Sequence, residues 1–121
     1  MTVNTLSATS LMGTKVVNLR GEDIGKLEEI MLDLDSGRVS YAVLSFGGFM
    51  GMGDKLFAIP WQGFTVDTEE EQLILNIDKE ILKNSEGFDK NNWPDFSSPE
   101  WHERTYAQYG YEYDFQPVRN R

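Results

Sequence analysis

The sequence predicts an all-β core, a small antiparallel β-barrel of about six strands, followed by a tail carrying one or two short helices. Up to about Ile77, short runs of β-branched and aromatic residues alternate with glycine-containing turns, a pattern typical of short strands. Beyond Ile77, helix-start residues and closely spaced aromatic side chains replace that pattern. The 121 residues correspond to one domain, and closing a sheet of this size into a barrel removes its exposed edges.

The first two strands follow from apolar runs that end at turn residues. Residues 15–19 form a short apolar run, and residues 24–34 are long enough for one extended strand. The apolar positions of the second run change parity partway along it. A strand holds one parity on each face, so the change requires a bulge, which we place at the adjacent Glu28 and Glu29.

The partner strand, residues 38–46, follows a tight glycine-containing turn at residues 35–37 and is apolar on both faces. Alternation sends two sets of its side chains to opposite sides, namely Val39, Tyr41 and Val43 on one and Ala42, Leu44 and Phe46 on the other. A strand that is apolar on both faces is buried on both faces. One face can line the barrel core, and the other must be covered by the tail or by a second subunit.

Residues 47–53 are predicted to form a loop, because four of these seven residues are glycine. The loop displays Phe49, Met50 and Met52, three adaptable apolar side chains whose exposure to water is unfavourable. Packing within the chain and an interface with another protein are both open for them. The spacing of the glycines does not match a phosphate-binding loop.

The remaining strands lie at residues 56–59, ended by Pro60, and in a hairpin formed by residues 64–66 and 73–77 around an acidic turn. The chain is therefore predicted to have three parts. These are a flexible N-terminus at residues 1–9, the barrel at residues 10–78, and a helical, aromatic-rich extension at residues 79–121 that packs on the barrel or on a partner.

Two helices are predicted in the extension. Asp78 is a suitable N-cap for a short helix at residues 79–83. Ser97, with Glu100 three residues later, matches a capping box for a second helix, and Gly110 is its natural end. Eight of the fifteen aromatic residues lie within residues 93–115, which predicts an extension packed against a surface.

Composition excludes several classes of function. A net charge of −9 disfavours nucleic acid as a partner, because phosphates are repelled by such a field. The chain has no cysteine and one histidine, which excludes thiolate and multi-histidine metal sites. No apolar run approaches the roughly 20 residues of a membrane span, and residues 1–10 lack the features of a secretory signal. We therefore expect a cytoplasmic protein without metal, cofactor or direct membrane insertion.

No catalytic residue is predicted. Asp33 and Asp35 begin like a calcium loop, but the glycine comes one residue too early and no glutamate closes the loop. His102 is interpreted as a histidine on the surface of the second helix, since no nucleophile motif accompanies it. The three tryptophans suit packing or stacking of a planar ligand, of which packing is the commoner use.

Several separated segments, in order along the chain, resemble the PRC-barrel family. The opening segment is residues 11–27, with GEDIGKL at residues 21–27, and its continuation covers residues 36–44. Residues 45–61 and the segment GFDKNNWPD at residues 87–95 resemble stand-alone bacterial members. The resemblance implies a compact β-barrel. Its relatives include the cytoplasmic domain of the photosynthetic reaction centre H subunit and the C-terminal domain of a ribosome-maturation factor, which contact other macromolecules and do not catalyse reactions.

The predicted function is a non-enzymatic protein-interaction module, most simply a homodimer that covers the surplus apolar face. Family analogy adds a role as an accessory to a membrane electron-transfer or stress-response complex. The alternatives are a small-ligand binder or small enzyme using acidic and aromatic residues near the tail, and, third, an RNA- or ribosome-associated factor. The interface candidates are Tyr41, Val43, Phe46, Phe49, Met50, Met52, Trp61, Trp93 and Trp101. The glycines assigned to structural turns are Gly21, Gly25, Gly37, Gly47 and Gly48.

Overall fold

A computed structural model describes residues 5–47 and 54–113 of the chain. Its regular elements are the helix α1 (Ala8–Leu11), the strands β1 (Lys15–Val17), β2 (Asp23–Asp33), β3 (Arg38–Gly47), β4 (Asp54–Pro60), β5 (Phe64–Asp67) and β6 (Gln72–Leu75), and the helices α2 (Lys79–Asn84) and α3 (Pro99–Gln108). A 3-10 turn, Trp61–Gly63, joins β4 to β5. The short helix α1 was not predicted. It is capped by Ser7, whose hydroxyl accepts a hydrogen bond from the Ser10 amide.

The six strands form one curled sheet in the order β4-β3-β2-β1-β6-β5, which confirms the predicted fold class. Neighbouring strands are antiparallel except β1 and β6, which are parallel, with Val16 opposite Leu73. This pair joins two distant parts of the chain, so turn residues carry no information about its direction. None of the helices in the described ranges is long and apolar enough to cross a bilayer.

The interior of the sheet is filled by aliphatic and phenylalanine side chains. On β3, Ala42, Leu44 and Phe46 point into this core, as alternation predicts. Their neighbours in the same core are Val16, Ile24, Leu27, Phe57, Ile59, Leu73, Leu75 and Leu82. Leu82 comes from α2, so this short helix closes part of the core.

The predicted bulge lies at Glu28. The β2–β3 register passes from Leu27 opposite Leu44 to Glu29 opposite Val43, which leaves Glu28 as the extra residue. Leu27 and Ile30, of opposite parity, can therefore both pack against the interior. The bulge thus keeps Leu27 and Ile30 against the interior, whereas Leu32, beyond a second register shift, is 61% exposed.

Gly25 allows β2 to pass close to β3. Its backbone φ is 125°, and a Cβ atom there would overlap the carbonyl oxygen of Ser45. Gly21, Gly37 and Gly47 also have positive φ angles, and Gly47 is the last residue of β3, where it pairs with Asp54. The fifth assigned glycine, Gly48, lies outside the described residues.

Candidate functional site

Helix α3 covers the second apolar face of β3. Tyr41 from the strand and Tyr106 from the helix are fully buried against each other, with ring centroids 5.2 Å apart at 84°. The Tyr106 hydroxyl donates a hydrogen bond to the Ser40 carbonyl at 2.6 Å. Pairing of β3 with β4 ends where Tyr41 lies opposite Pro60. The carbonyl of the preceding residue, Ser40, is bonded by α3 through Tyr106. The surplus apolar face is therefore covered within the same chain.

His102 belongs to this aromatic cluster, and its interpretation as a helix-surface histidine is wrong. Its Nε2 lies 2.6 Å from the Phe96 carbonyl oxygen, which only accepts hydrogen bonds, so Nε2 carries the hydrogen. In the neutral ring Nδ1 is then the acceptor, and it lies 2.8 Å from the Tyr41 hydroxyl, which donates to it. The ring also stacks on Tyr113 at 4.6 Å and 5°. The local sequence pattern could not predict this contact, because Tyr41 and His102 are far apart in the sequence.

Burial keeps the phenols of this region protonated. It raises the pKa of both Tyr41 and Tyr106 well above the usual tyrosine value, and the nearby Tyr113 phenol adds to the rise. Burial likewise raises the pKa of Tyr109, to about 12. These phenols therefore stay protonated to a higher pH than exposed tyrosines do.

Helix α3 begins one residue later than predicted, with Ser98 as its N-cap. The Ser98 hydroxyl accepts from the Trp101 amide at 3.2 Å, and Pro99 occupies the first helical position, which proline favours. Ser97 instead donates its hydroxyl hydrogen bond to Asp95 at 2.6 Å. This bond, together with one from the Ser97 amide, holds the pKa of the Asp95 carboxyl below its usual value.

The segment before α3 is attached to the edge of the sheet at one point. Leu56 and Phe88 exchange two backbone hydrogen bonds, each 2.9 Å long. Gly87 permits this approach, because a Cβ there would lie 2.6 Å from the Leu56 carbonyl oxygen. Trp93 then packs on Phe88 at 5.1 Å and donates its indole hydrogen bond to the Lys90 carbonyl at 2.8 Å.

A groove of about 660 Å³ lies between β4, this segment and α3. It brings together two of the predicted interface residues, Trp93 and Trp101, and Trp93 is 37% exposed. Lys55 and Arg104 are exposed at the same groove, and neither forms an ion pair with another described residue. Its acidic lining residues are Glu86 and Asp89. We refer to it as the tryptophan groove.

A second groove, of about 480 Å³, lies on another side of the C-terminal end of α3. Three exposed apolar side chains line it: Leu19 at 70%, Ile81 at 51% and Tyr111 at 36% exposure. The Leu19 turn is held by Asn18, whose side-chain oxygen accepts two backbone hydrogen bonds of 3.0 Å. The charges in this groove, Arg20 and Asp78, pair with each other at 3.3 Å.

The other predicted interface residues have different environments. Tyr41, Val43 and Phe46 are buried within the chain, and Trp61 is half-buried and stacked on Phe64 at 5.9 Å. The loop residues Phe49, Met50 and Met52 lie outside the described residues. The two grooves contain residues that sequence analysis did not identify, namely Lys55, Arg104, Leu19 and Ile81. Of these four residues, only Leu19 has a signal in the sequence, because it is an apolar residue directly before a turn.

In the described ranges, no three His, Cys, Asp or Glu residues are close enough to share a metal ion.

The comparison with family models matches residues 4–82 to the PRC-barrel domain. No curated protein matches the chain.

Among solved structures, the chain is similar to one from Pseudomonas aeruginosa, described as a 16S ribosomal RNA processing protein, RimM. The identity is 15% and the TM-score 0.43, over 64% of this chain. The chain covers 47% of that protein, less than half its length.

The predicted partners, a homodimer without nucleic acid, need correction. The exclusion of nucleic acid is wrong as stated, because it was drawn from the net charge alone. A net charge of −9 is a sum over the whole chain and does not describe each face of it. The homodimer lacks support as well, because α3 already covers the β3 face around Tyr41.

Proposed function

Because the chain belongs to the PRC-barrel family, we propose that it is a non-enzymatic binding module that holds a segment of another protein in the tryptophan groove. The single observation that carries this proposal is the groove itself. It places two indoles beside two cations that have no ion pair among the described residues.

The composition of the groove suits a protein partner. Tryptophan, tyrosine and arginine are the residues most enriched where protein interfaces gain their binding energy. Trp93, Trp101, Arg104 and Tyr109 all line this groove. The basic Lys55 and Arg104 suit a partner segment that combines a carboxylate with an apolar or aromatic side chain.

The filled interior of the sheet supports binding over catalysis. An enzyme or small-ligand binder of the kind considered from the sequence needs a concave pocket with convergent acidic groups. The side chains inside the curled sheet are aliphatic or phenylalanine, and they include Leu27, Leu44 and Phe57. No acidic side chain belongs to that described core.

Co-purification from the native host tests the proposal. We expect the tagged chain to retain a protein that the double variant Trp93→Ala/Arg104→Glu loses. Leu34→Ala, at an exposed leucine in the β2–β3 turn, is the control and should retain it. Equal recovery with wild type and the double variant, both shown to be folded by circular dichroism, would contradict the proposal.

A second candidate, a ribosome- or RNA-associated factor, is favoured by the same cations. In this candidate, Lys55 and Arg104 contact phosphates while the indoles that line the same groove stack on bases. Ribonuclease treatment separates the two candidates, because a complex held by RNA dissociates and one held by a protein segment survives. The identity of the recovered partner also tests the predicted role at a membrane electron-transfer or stress-response complex and the predicted cytoplasmic location.

A further inference from the structure

We propose that Tyr41 is a redox-active tyrosine whose phenolic proton moves to Nδ1 of His102 when a one-electron, outer-sphere metal-complex oxidant removes an electron from its ring. The O–H bond of Tyr41 breaks and an N–H bond forms on His102. The electron goes to the oxidant, whose metal is reduced by one unit. The products are a neutral tyrosyl radical and an imidazolium, so atoms, protons and charge balance.

The first requirement is a proton acceptor. An oxidised phenol is a strong acid, and a buried one forms readily only if a base takes its proton. Nδ1 of His102 lies 2.8 Å from the Tyr41 oxygen, within the range in which a base receives a proton directly. Because the Phe96 carbonyl holds the hydrogen of the neutral ring on Nε2, the free electron pair of Nδ1 faces the phenol.

The second requirement is stabilisation of the imidazolium that results. After the transfer, Nε2–H still donates to the Phe96 carbonyl, and the new Nδ1–H donates to the radical oxygen of Tyr41. Both hydrogens of the imidazolium are thus satisfied without movement of the backbone.

The third requirement is a path for the electron from a fully buried ring. Tyr41 and Trp101 are in contact, with ring centroids 5.2 Å apart. Trp101 is only half-buried and lines the tryptophan groove, where an oxidant can approach. The pair therefore connects a buried proton-coupled donor to the surface through one indole.

Tyr106 provides an internal control. It is as deeply buried as Tyr41 and touches it, but its hydroxyl donates to a backbone carbonyl, which does not take up a proton. Position and burial are thus matched between the two phenols, and the proton acceptor differs. Only Tyr41 should give a long-lived neutral radical.

Flash oxidation of the full chain by photogenerated tris(bipyridine)ruthenium(III) tests this proposal, with electron paramagnetic resonance and transient absorbance as readouts. We expect a long-lived tyrosyl radical in wild type and in Tyr106→Phe, and its loss in Tyr41→Phe. His102→Gln keeps a polar side chain but removes the base, and should slow radical formation on the order of 10²-fold. Formation should be slower in D₂O for wild type and insensitive to it for His102→Gln.

Three results would overturn the proposal. These are an undiminished long-lived radical in Tyr41→Phe, an unchanged rate in His102→Gln, and the absence of a deuterium effect in wild type. Circular dichroism of each variant establishes that it is folded. Should Tyr41→Phe not fold, the rate and isotope effect in His102→Gln decide the question.

Discussion

Removing the hydroxyl of Tyr106 tests whether α3 is anchored to the sheet. Tyr106→Phe keeps the ring, and with it the edge-to-face contacts with Tyr41 at 5.2 Å and Tyr113 at 5.0 Å. What is lost is the 2.6 Å hydrogen bond to the Ser40 carbonyl in a fully buried site, together with the hydroxyl's hydrogen bond with the Gln62 side chain. The Ser40 carbonyl then lacks this donor.

The expected cost follows from that buried acceptor. A net hydrogen bond contributes about 1 kcal/mol, and a buried group left unsatisfied raises the cost to about 1–3 kcal/mol. Urea unfolding of the full chain measures it, as a lower midpoint with an unchanged slope. Tyr111→Phe removes a hydroxyl from a partly exposed tyrosine and should change stability by less than about 0.5 kcal/mol.

A Tyr106→Phe protein as stable as wild type, within about 0.5 kcal/mol, would refute this reasoning. It would mean that the hydrogen bond to β3 contributes nothing to holding α3. The covering of the second β3 face would then rest on ring packing alone.

Three further predictions concern the edge, the phenols and an exposed ion pair. Gly87→Ala places a Cβ 2.6 Å from the Leu56 carbonyl oxygen, and should lower the free energy of unfolding by about 1–3 kcal/mol in urea titration. Burial raises the pKa of Tyr41 and Tyr106 above the value of about 10 in the unfolded chain. The folded state therefore keeps these protons longer, and stability complete below about pH 10 should fall above it, by up to about 1.4 kcal/mol per pH unit for each phenol. Arg20→Ala removes an exposed ion pair and should cost less than about 1 kcal/mol.

Each of these three predictions would be contradicted by a different result. A Gly87→Ala chain of unchanged stability would show that the segment is not held at Leu56. A flat stability profile up to pH 12, measured by urea unfolding at each pH, would show that the buried phenols ionise as readily as exposed ones. A loss of more than about 2 kcal/mol in Arg20→Ala would mean that its pairing is far stronger than surface pairs usually are.

Local chemistry explains the parts of the fold that sequence analysis predicted. The parity change around Glu28 required a bulge, and the structure has one there. The double apolar pattern of β3 required two covered faces, and the interior and α3 cover them. In both cases the two-residue period of a strand and the need to bury apolar side chains allowed few structures.

The features that sequence analysis did not predict depend on contacts between residues distant in the sequence, or on which of two adjacent residues caps a helix. The parallel β1–β6 pair and the Tyr41–His102 hydrogen bond join segments about sixty residues apart. Ser97 and Ser98 are both good caps, and the position of Pro99 in the first turn decided between them. The tryptophan groove is assembled from three separate parts of the chain, so no single motif marks it.

Site-specific cross-linking tests most directly whether the tryptophan groove is the binding surface. A photoreactive residue is placed at Asn92, which is exposed and lines this groove, or at Leu34, which is exposed at the β2–β3 turn. Irradiation in native host extract should give a discrete adduct from position 92 that is absent from position 34. An adduct from position 34 alone would place the binding surface elsewhere and contradict the account.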